Sequence, residues 1–97
     1  MDYEIKQKED NNQGMFFIED EDGMLAEVIY AIQDNGIMEI NETETNPKIA
    51  GKGLGSKLIK RVVDYAREKD LVVDPICSFA AAQFQKHEEY QDIQVKD

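Results

Sequence analysis

The sequence predicts an α+β domain: a mixed, mostly antiparallel sheet in the order β-β-β-β-α-β-α, with helices packed on the sheet. Three observations carry this. Residues 3–45 hold four extended runs separated by short turn signals. From Leu54 onward the apolar period becomes helical, with Leu54, Leu58, Val62 and Ala66 on one stripe. A short apolar run, Leu71 to Ile76, then leads into a second helical segment. Ninety-seven residues make one domain, spanning 1–97, with enough apolar surface for one core.

Taken in order, Tyr3-Glu4-Ile5-Lys6-Gln7 alternates and is expected as the first strand, ended by the polar turn Glu9 to Gly14. Met15 to Glu19 is the second, and Asp22-Gly23 marks a hairpin. Met24 to Ile32 is the third, turned by Asp34-Asn35-Gly36 into the fourth, Ile37 to Thr45. Four runs joined this tightly form an antiparallel meander. The helix that begins at Leu54 is widened by Ile59, Val63 and Tyr65, and Arg67 and Lys69 complement its C-terminal dipole. Leu71 to Ile76 is apolar enough to lie beside the fourth strand. Ser78 is expected to cap the second helix, Phe79 to about Lys86, with an irregular polar tail from His87.

Composition narrows the function. A 41% apolar content describes a folded globule, and no run of 18 apolar residues could span a membrane. The N-terminus, Met-Asp-Tyr-Glu-Ile-Lys, shows no signal-peptide pattern. A single cysteine, Cys77, forms no internal disulfide, which fits a reducing cytoplasm. A net charge of -10 argues against nucleic acid and is compatible with a cationic substrate such as an amine. The only histidine, His87, ends the second helix and reads as a cap. Without a histidine or cysteine cluster no zinc site is expected. The Glu19–Asp22 run is a solvated turn, and Phe79 and Phe84 read as core.

The most informative segment is Thr45 to Leu58. A strand meets Pro47, then Gly51-Lys52-Gly53-Leu54-Gly55-Ser56, then a helix. Glycines allow close approach of the backbone, and the unpaired N–H groups of a helix's first turn favour an anion. Lys48, Lys52, Lys57 and Lys60 gather around this turn in an otherwise acidic chain. A phosphate or pyrophosphate is the natural occupant. The spacing is neither a Walker A loop nor the Rossmann fingerprint, since Gly55 precedes Ser56-Lys57 and the last glycine comes one residue early.

This segment resembles the acetyl-CoA-binding motif of the GCN5-related N-acetyltransferases, Arg/Gln-x-x-Gly-x-Gly/Ala at a helix start, with Gly53 and Gly55 at its glycine positions. Together with Pro75-Ile76-Cys77-Ser78-Phe79 and His87-Glu88-Glu89-Tyr90, it resembles the minimal, YjdJ-like short acetyltransferases over residues 14 to 91. The resemblance implies acetyl-CoA as cofactor, with Gly51, Lys52, Gly53, Leu54, Gly55 and Ser56 holding its pyrophosphate. It also implies that backbone near Glu44 and Thr45 meets the pantetheine arm where the fourth and fifth strands splay, and that Cys77 lies near the thioester. The implied reaction is acetyl transfer to a primary amine, with an open site suited to a protein acceptor, in a monomer or weak dimer. Two departures stand out: Ala50 replaces the motif's Arg or Gln, and Glu42 stands where many short members carry histidine. Glu42, or Glu44 on the same strand face, is the candidate base. Cys77 is the candidate acetyl acceptor or proton donor, or a small buried hydrophobe. The tyrosine acid of larger members is missing, and Tyr90 is a poor substitute. A CoA- or acyl-CoA-binding module with little catalysis is the alternative function.

Overall fold

The computed structural model describes residues 3–49, 51 and 53–96. Five strands form one sheet in sequential order: β1 (Lys6–Asp10), β2 (Gln13–Asp20), β3 (Gly23–Ile32), β4 (Ile37–Thr45) and β5 (Val72–Pro75). The first four are antiparallel, and β5 runs parallel to β4 after the crossover helix α1 (Leu54–Glu68). Helix α2 (Ser78–Lys86) follows, then a 3-10 turn at Glu88–Ile93.

The meander matches the expected element order, with one shift. The first strand lies at Lys6–Asp10, three residues beyond the expected run. Its cause is the turn: Asn11 and Asn12 both take positive φ, 53° and 63°, so a two-residue connection joins Asp10 directly to Gln13. Tyr3 and Ile5, the apolar residues that suggested the earlier start, pack against the core ahead of the strand.

Both helices lie on the same face of the sheet. Leu58, Ile59, Val62 and Ala66 of α1 and Ala80 and Phe84 of α2 join one cluster with Phe16, Ile18, Val28, Tyr30, Met38, Ile40 and Val73. Phe17 is 3% exposed yet stands outside that cluster, on the opposite face, with the Lys8 ammonium 5.4 Å from its ring centroid. Burial of the helix-side residues at roughly 25 cal/mol per Å² is the main force holding the layers together. At the far end, Glu9 accepts hydrogen bonds from Tyr30 (2.7 Å) and Tyr65 (2.8 Å), tying β1 to β3 and α1. Burial, with the Glu9 carboxylate beside them, raises both phenols above the usual tyrosine range.

Two features of the C-terminal part differ from expectation. Cys77, not Ser78, is the N-cap of α2: its Sγ accepts from the Ala80 N–H at 3.4 Å. The tail is ordered, because Tyr90 packs on Phe84 and on His87, and Arg67 grips Asp92 and the Glu89 carbonyl. That guanidinium holds the Asp92 carboxyl below the usual range. The chain then returns to the sheet, where Val73 bridges Gln94 and the Val95 N–H bonds the Val73 carbonyl at 2.8 Å. No helix among the described residues is long and apolar enough to cross a membrane.

Candidate functional site between strands four and five

The β4–β5 ladder is short. It pairs Ile37 with Val72 and ends with Ile40 opposite Pro75. Proline has no N–H to continue a ladder, and the Ile76 and Cys77 amides both turn onto the Ile40 carbonyl at 3.1 Å. Beyond that point β4 runs on through Thr45 paired only with β3, while the chain after β5 turns away into α2. The two strands therefore open into a gap whose far end is the glycine turn.

A β-bulge sets what faces that gap. Ile29 pairs with Glu42 and Tyr30 with Ile40, so Asn41 is the extra residue on β4. Simple alternation from Met38 and Ile40 would have put Glu42 and Glu44 on the helix side. The bulge reverses it: Thr43, paired with buried Val28, and Thr45, paired with buried Ala26, face the helices. Thr43 Oγ1 lies 3.3 Å from Cys77 Sγ, within hydrogen-bond reach. Glu42 and Glu44 are exposed and share the opposite face, beside Ile29 and Glu27.

At the end of the gap, Pro47–Ile49 forms a 3-10 turn, with Asn46 Oδ1 accepting from the Lys48 N–H at 2.9 Å. Gly51 (φ 92°) and Gly53 (φ 74°) take left-handed conformations, and Gly53 is the N-cap of α1. Among the described residues nothing stands within 4 Å of where a Cβ would sit on either, so dihedral angle rather than crowding demands glycine. Among the described residues no side chain caps α1, and its first turn carries no acidic residue. Thr45, Gly51, Gly53, Leu54, Gly55, Ser56 and Phe79 line a cavity of about 390 Å³ there. The hollow fits an anion with an attached chain: amides at a helix start, glycine backbone, and an apolar wall.

Among the expected cofactor residues, Thr45, Gly51, Gly53, Leu54, Gly55 and Ser56 converge on this cavity, and Glu44 lies beside Thr45 on β4. Lys52 and Ala50 fall outside the described residues. Lys60 pairs with Asp64 at 3.3 Å, and Lys57 is exposed one turn into α1. Cys77 is half-buried at the mouth of the gap, whereas Glu42 projects from the other side of the sheet, so the two are not neighbours. Tyr90 is 8% exposed beyond the C-terminal end of α2, the end opposite Cys77, and burial raises its phenol further.

Three residues escaped the sequence reading. Thr43 was hidden by the bulge. Phe79 was read as core, yet it is 38% exposed and roofs Gly55: a Cβ on that glycine would sit 2.8 Å from the Phe79 Cζ. Gln83, one turn further along α2, buries its Oε1 without a partner among the described residues. A larger hollow of about 590 Å³ lies at the β1–β2 hairpin, at the other side of the sheet from the gap; size alone does not mark the site.

The fold that carries this gap belongs to a known class. The family model of the GCN5-related N-acetyltransferases matches residues 15–93, and the chain belongs to that family. A GCN5-like protein of Staphylococcus aureus, assigned as an N-acetyltransferase, shares 36% identity with a TM-score of 0.74, over 95% of this chain and 89% of its own. The ribosomal-protein-S18-alanine N-acetyltransferase of Escherichia coli has the same fold at 14% identity (TM-score 0.65), over 80% of this chain and 53% of its own. A Bacillus anthracis protein assigned as a streptothricin acetyltransferase, solved with acetyl coenzyme A, aligns at 17% identity and TM-score 0.60, over 79% of this chain and 46% of its own. The chain thus spans about half the length of these two larger proteins. No functionally curated protein matches the sequence.

Proposed function

We propose that this chain is an acetyl-CoA-dependent N-acetyltransferase acting on a primary amine. The observation that carries the proposal is the β4–β5 gap closed at one end by the uncapped start of α1. Gly51, Lys52, Gly53, Leu54, Gly55 and Ser56 would bind the pyrophosphate through backbone amides. The unpaired edge of β4 at Glu44 and Thr45 would offer its backbone groups to the amide-rich pantetheine arm as a neighbouring strand would. Bound there, acetyl-CoA supplies an activated acetyl thioester.

The chain's own groups divide across the sheet. Cys77 and Thr43 stand on the helix side, where a chain threaded along the gap would bring its sulfur end. Glu42 stands on the open side, from which an amine can approach. A carboxylate there can hold the amine's ammonium form, orient it and take its proton, directly or through water. Cys77 can give a proton to the departing thiolate or accept the acetyl group itself. No layer among the described residues covers this side, which suits a bulky acceptor such as a protein. A reducing, cytoplasmic setting fits a lone free thiol.

The second reading, a CoA-binding module with little catalysis, draws on one observation: Glu42 is exposed and stands on the opposite face of the sheet from Cys77. CoA and acetyl-CoA titrations followed by amide chemical shifts test the site. Saturable shifts at Gly51, Gly53 to Ser56 and Cys77 are expected, and their absence at millimolar CoA overturns both readings. Amine acetylation that falls tenfold or more in Glu42→Gln or Cys77→Ser supports catalysis. Binding without any turnover leaves the module.

A further inference from the structure

We propose that Thr43 is a positioning residue for the Cys77 thiol, holding a hydroxyl against the sulfur to receive the charge that appears there when its proton leaves; the proposal rests on the acetyltransferase reading for its consequence. Thr43 Oγ1 lies 3.3 Å from Cys77 Sγ, and either atom can donate. The Ala80 N–H donates to the same sulfur at 3.4 Å, the N-cap contact of α2. That amide takes a sulfur lone pair in the neutral thiol, so among the described residues the S–H proton has Thr43 Oγ1 as its acceptor. Once the proton is gone, the hydroxyl turns its own hydrogen onto the sulfur, and two donors meet the thiolate. A hydroxyl serves both states because it donates and accepts, whereas a backbone N–H only donates.

Three features of the chain put the hydroxyl there. The Asn41 bulge turns Thr43 to the helix side. Pro75 ends the β4–β5 ladder, so the Ile76 and Cys77 amides close onto the Ile40 carbonyl and bring the sulfur beside β4. A β-branched side chain has few χ1 choices, which keeps the oxygen in place. Thr45, one pleat or ~7 Å further along the same side, lines the glycine-turn cavity, so the Thr43–Cys77 pair stands one step up the gap from that turn. Among the described residues no charged side chain bonds this sulfur. Glu42 and Glu44 of β4 and Asp74 of β5 stand on the opposite face, Lys86 and His87 lie at the far end of α2, and Lys57 of α1 is exposed.

The two chemistries open to Cys77 share this step. In giving a proton to a departing thiolate, the Sγ–H bond breaks, the proton passes to the leaving sulfur, and the electron pair stays on Sγ. In accepting the acetyl group, the proton first goes to solvent. The same pair then bonds the acetyl carbon as the thioester's carbon–sulfur bond breaks. Either way Sγ passes through the anion, and Thr43 acts on that anion without touching the reacting carbon.

The test measures alkylation of Cys77 by iodoacetamide, followed by mass spectrometry, in the full chain without CoA. Sγ bonds the methylene carbon and iodide leaves, so the rate follows the thiolate. The quantity read is the ratio of the rates at about pH 10 and about pH 7, either side of the ordinary thiol range; a change of access alters both rates alike and cancels. Thr43→Val keeps the shape of the side chain without its hydroxyl and should raise this ratio about tenfold, the scale of one hydrogen bond to a charged atom. Thr43→Ala, which also lacks the hydroxyl, should do the same, and Thr43→Ser should stay within about twofold of the unmodified chain. Hydrogen exchange at the Ala80 amide should be unchanged in all three, since the α2 cap comes from the sulfur. An unchanged ratio in Thr43→Val, a ratio in Thr43→Ser as high as in Thr43→Val, or a raised ratio accompanied by fast Ala80 exchange would each overturn the proposal. CoA titration of the unmodified chain judges the cofactor reading separately: absence of binding defeats that reading and leaves the ratio to decide the role of Thr43.

Discussion

Gly55→Ala separates packing from ligand binding at one position. An alanine Cβ there would sit 2.8 Å from Phe79 Cζ and 3.1 Å from Cε2, about 0.6 Å inside the 3.4 Å at which ordinary contact begins. Overpacking in a closed core costs roughly 1–3 kcal/mol. Here the ring is 38% exposed and can swing outward, which keeps the cost near the lower end, about 1 kcal/mol. Alanine in place of glycine in a helix returns up to about 1 kcal/mol. The two nearly cancel, so the melting temperature should move by no more than about 4–8 °C, the shift that 1 kcal/mol produces in a domain of this size. Binding should respond far more. The methyl group and the displaced ring both enter the cavity lined by Gly53, Leu54, Gly55 and Ser56. An expected loss of tenfold or more in CoA affinity corresponds to about 1.4 kcal/mol. Calorimetric titration with CoA beside thermal unfolding reads both quantities. Adding Phe79→Ala should recover part of the affinity, as residues in direct contact couple. Unchanged CoA affinity in Gly55→Ala would refute the cradle, and loss of the fold would refute the mobile ring.

Three further outcomes follow from the geometry. Gly14→Ala should destabilise the fold by about 2–4 kcal/mol in urea unfolding, because its Cβ would collide with the Lys8 carbonyl and meet the Tyr30 hydroxyl at 2.7 Å, forcing backbone as well as the Glu9 hydrogen bonds apart. Alkaline pH should weaken the fold. Tyr30, Tyr65 and Tyr90 all have phenols raised above their unfolded value, so their contribution is complete below about pH 10 and disappears as pH climbs through the folded-state values. A melting temperature that stays flat between about pH 9 and 11 would contradict this. Cys77→Ser should keep the α2 cap, whereas Cys77→Ala should lose it at a cost of about 0.5–1 kcal/mol in thermal unfolding. Activity lost in the serine variant would therefore report chemistry rather than a damaged helix.

Much of this architecture was legible because local signals agreed with the tertiary result. The bounds of β4 and the start of α1 fall at Ile37–Thr45 and Leu54 as the periodicity indicates, since turn residues punctuate both. The glycine turn was legible for the same reason: positive φ at Gly51 and Gly53 is a backbone demand that composition records directly. What could not be read was register. Nothing in Ile40-Asn41-Glu42-Thr43 announces that Asn41 bulges, yet that one residue decides that Thr43 meets Cys77 and that Glu42 does not. The α2 cap was misplaced by one residue because a thiol is a weak acceptor that propensity does not favour at that position, and burial beside Thr43 decided it. Phe79 looked like core because an aromatic next to a helix start usually is; the missing side chain of Gly55 opens the space it occupies.

The two margins of the sheet are finished differently, and this bears on how the molecule behaves in concentrated solution. An unprotected strand margin is a template on which further copies can stack. At β5 that template is used up by the chain itself, through the Val73–Gln94 bridge and the Val95 amide. At β1 all five residues, Lys6 to Asp10, are polar and exposed, and four of them are charged. Val95→Pro, which removes that amide, should thus convert a self-limiting sheet into one that recruits its neighbours, seen as concentration-dependent light scattering. Gln94 and Val95 act as a stopper against fibrous growth, a task separate from anything they contribute to the gap.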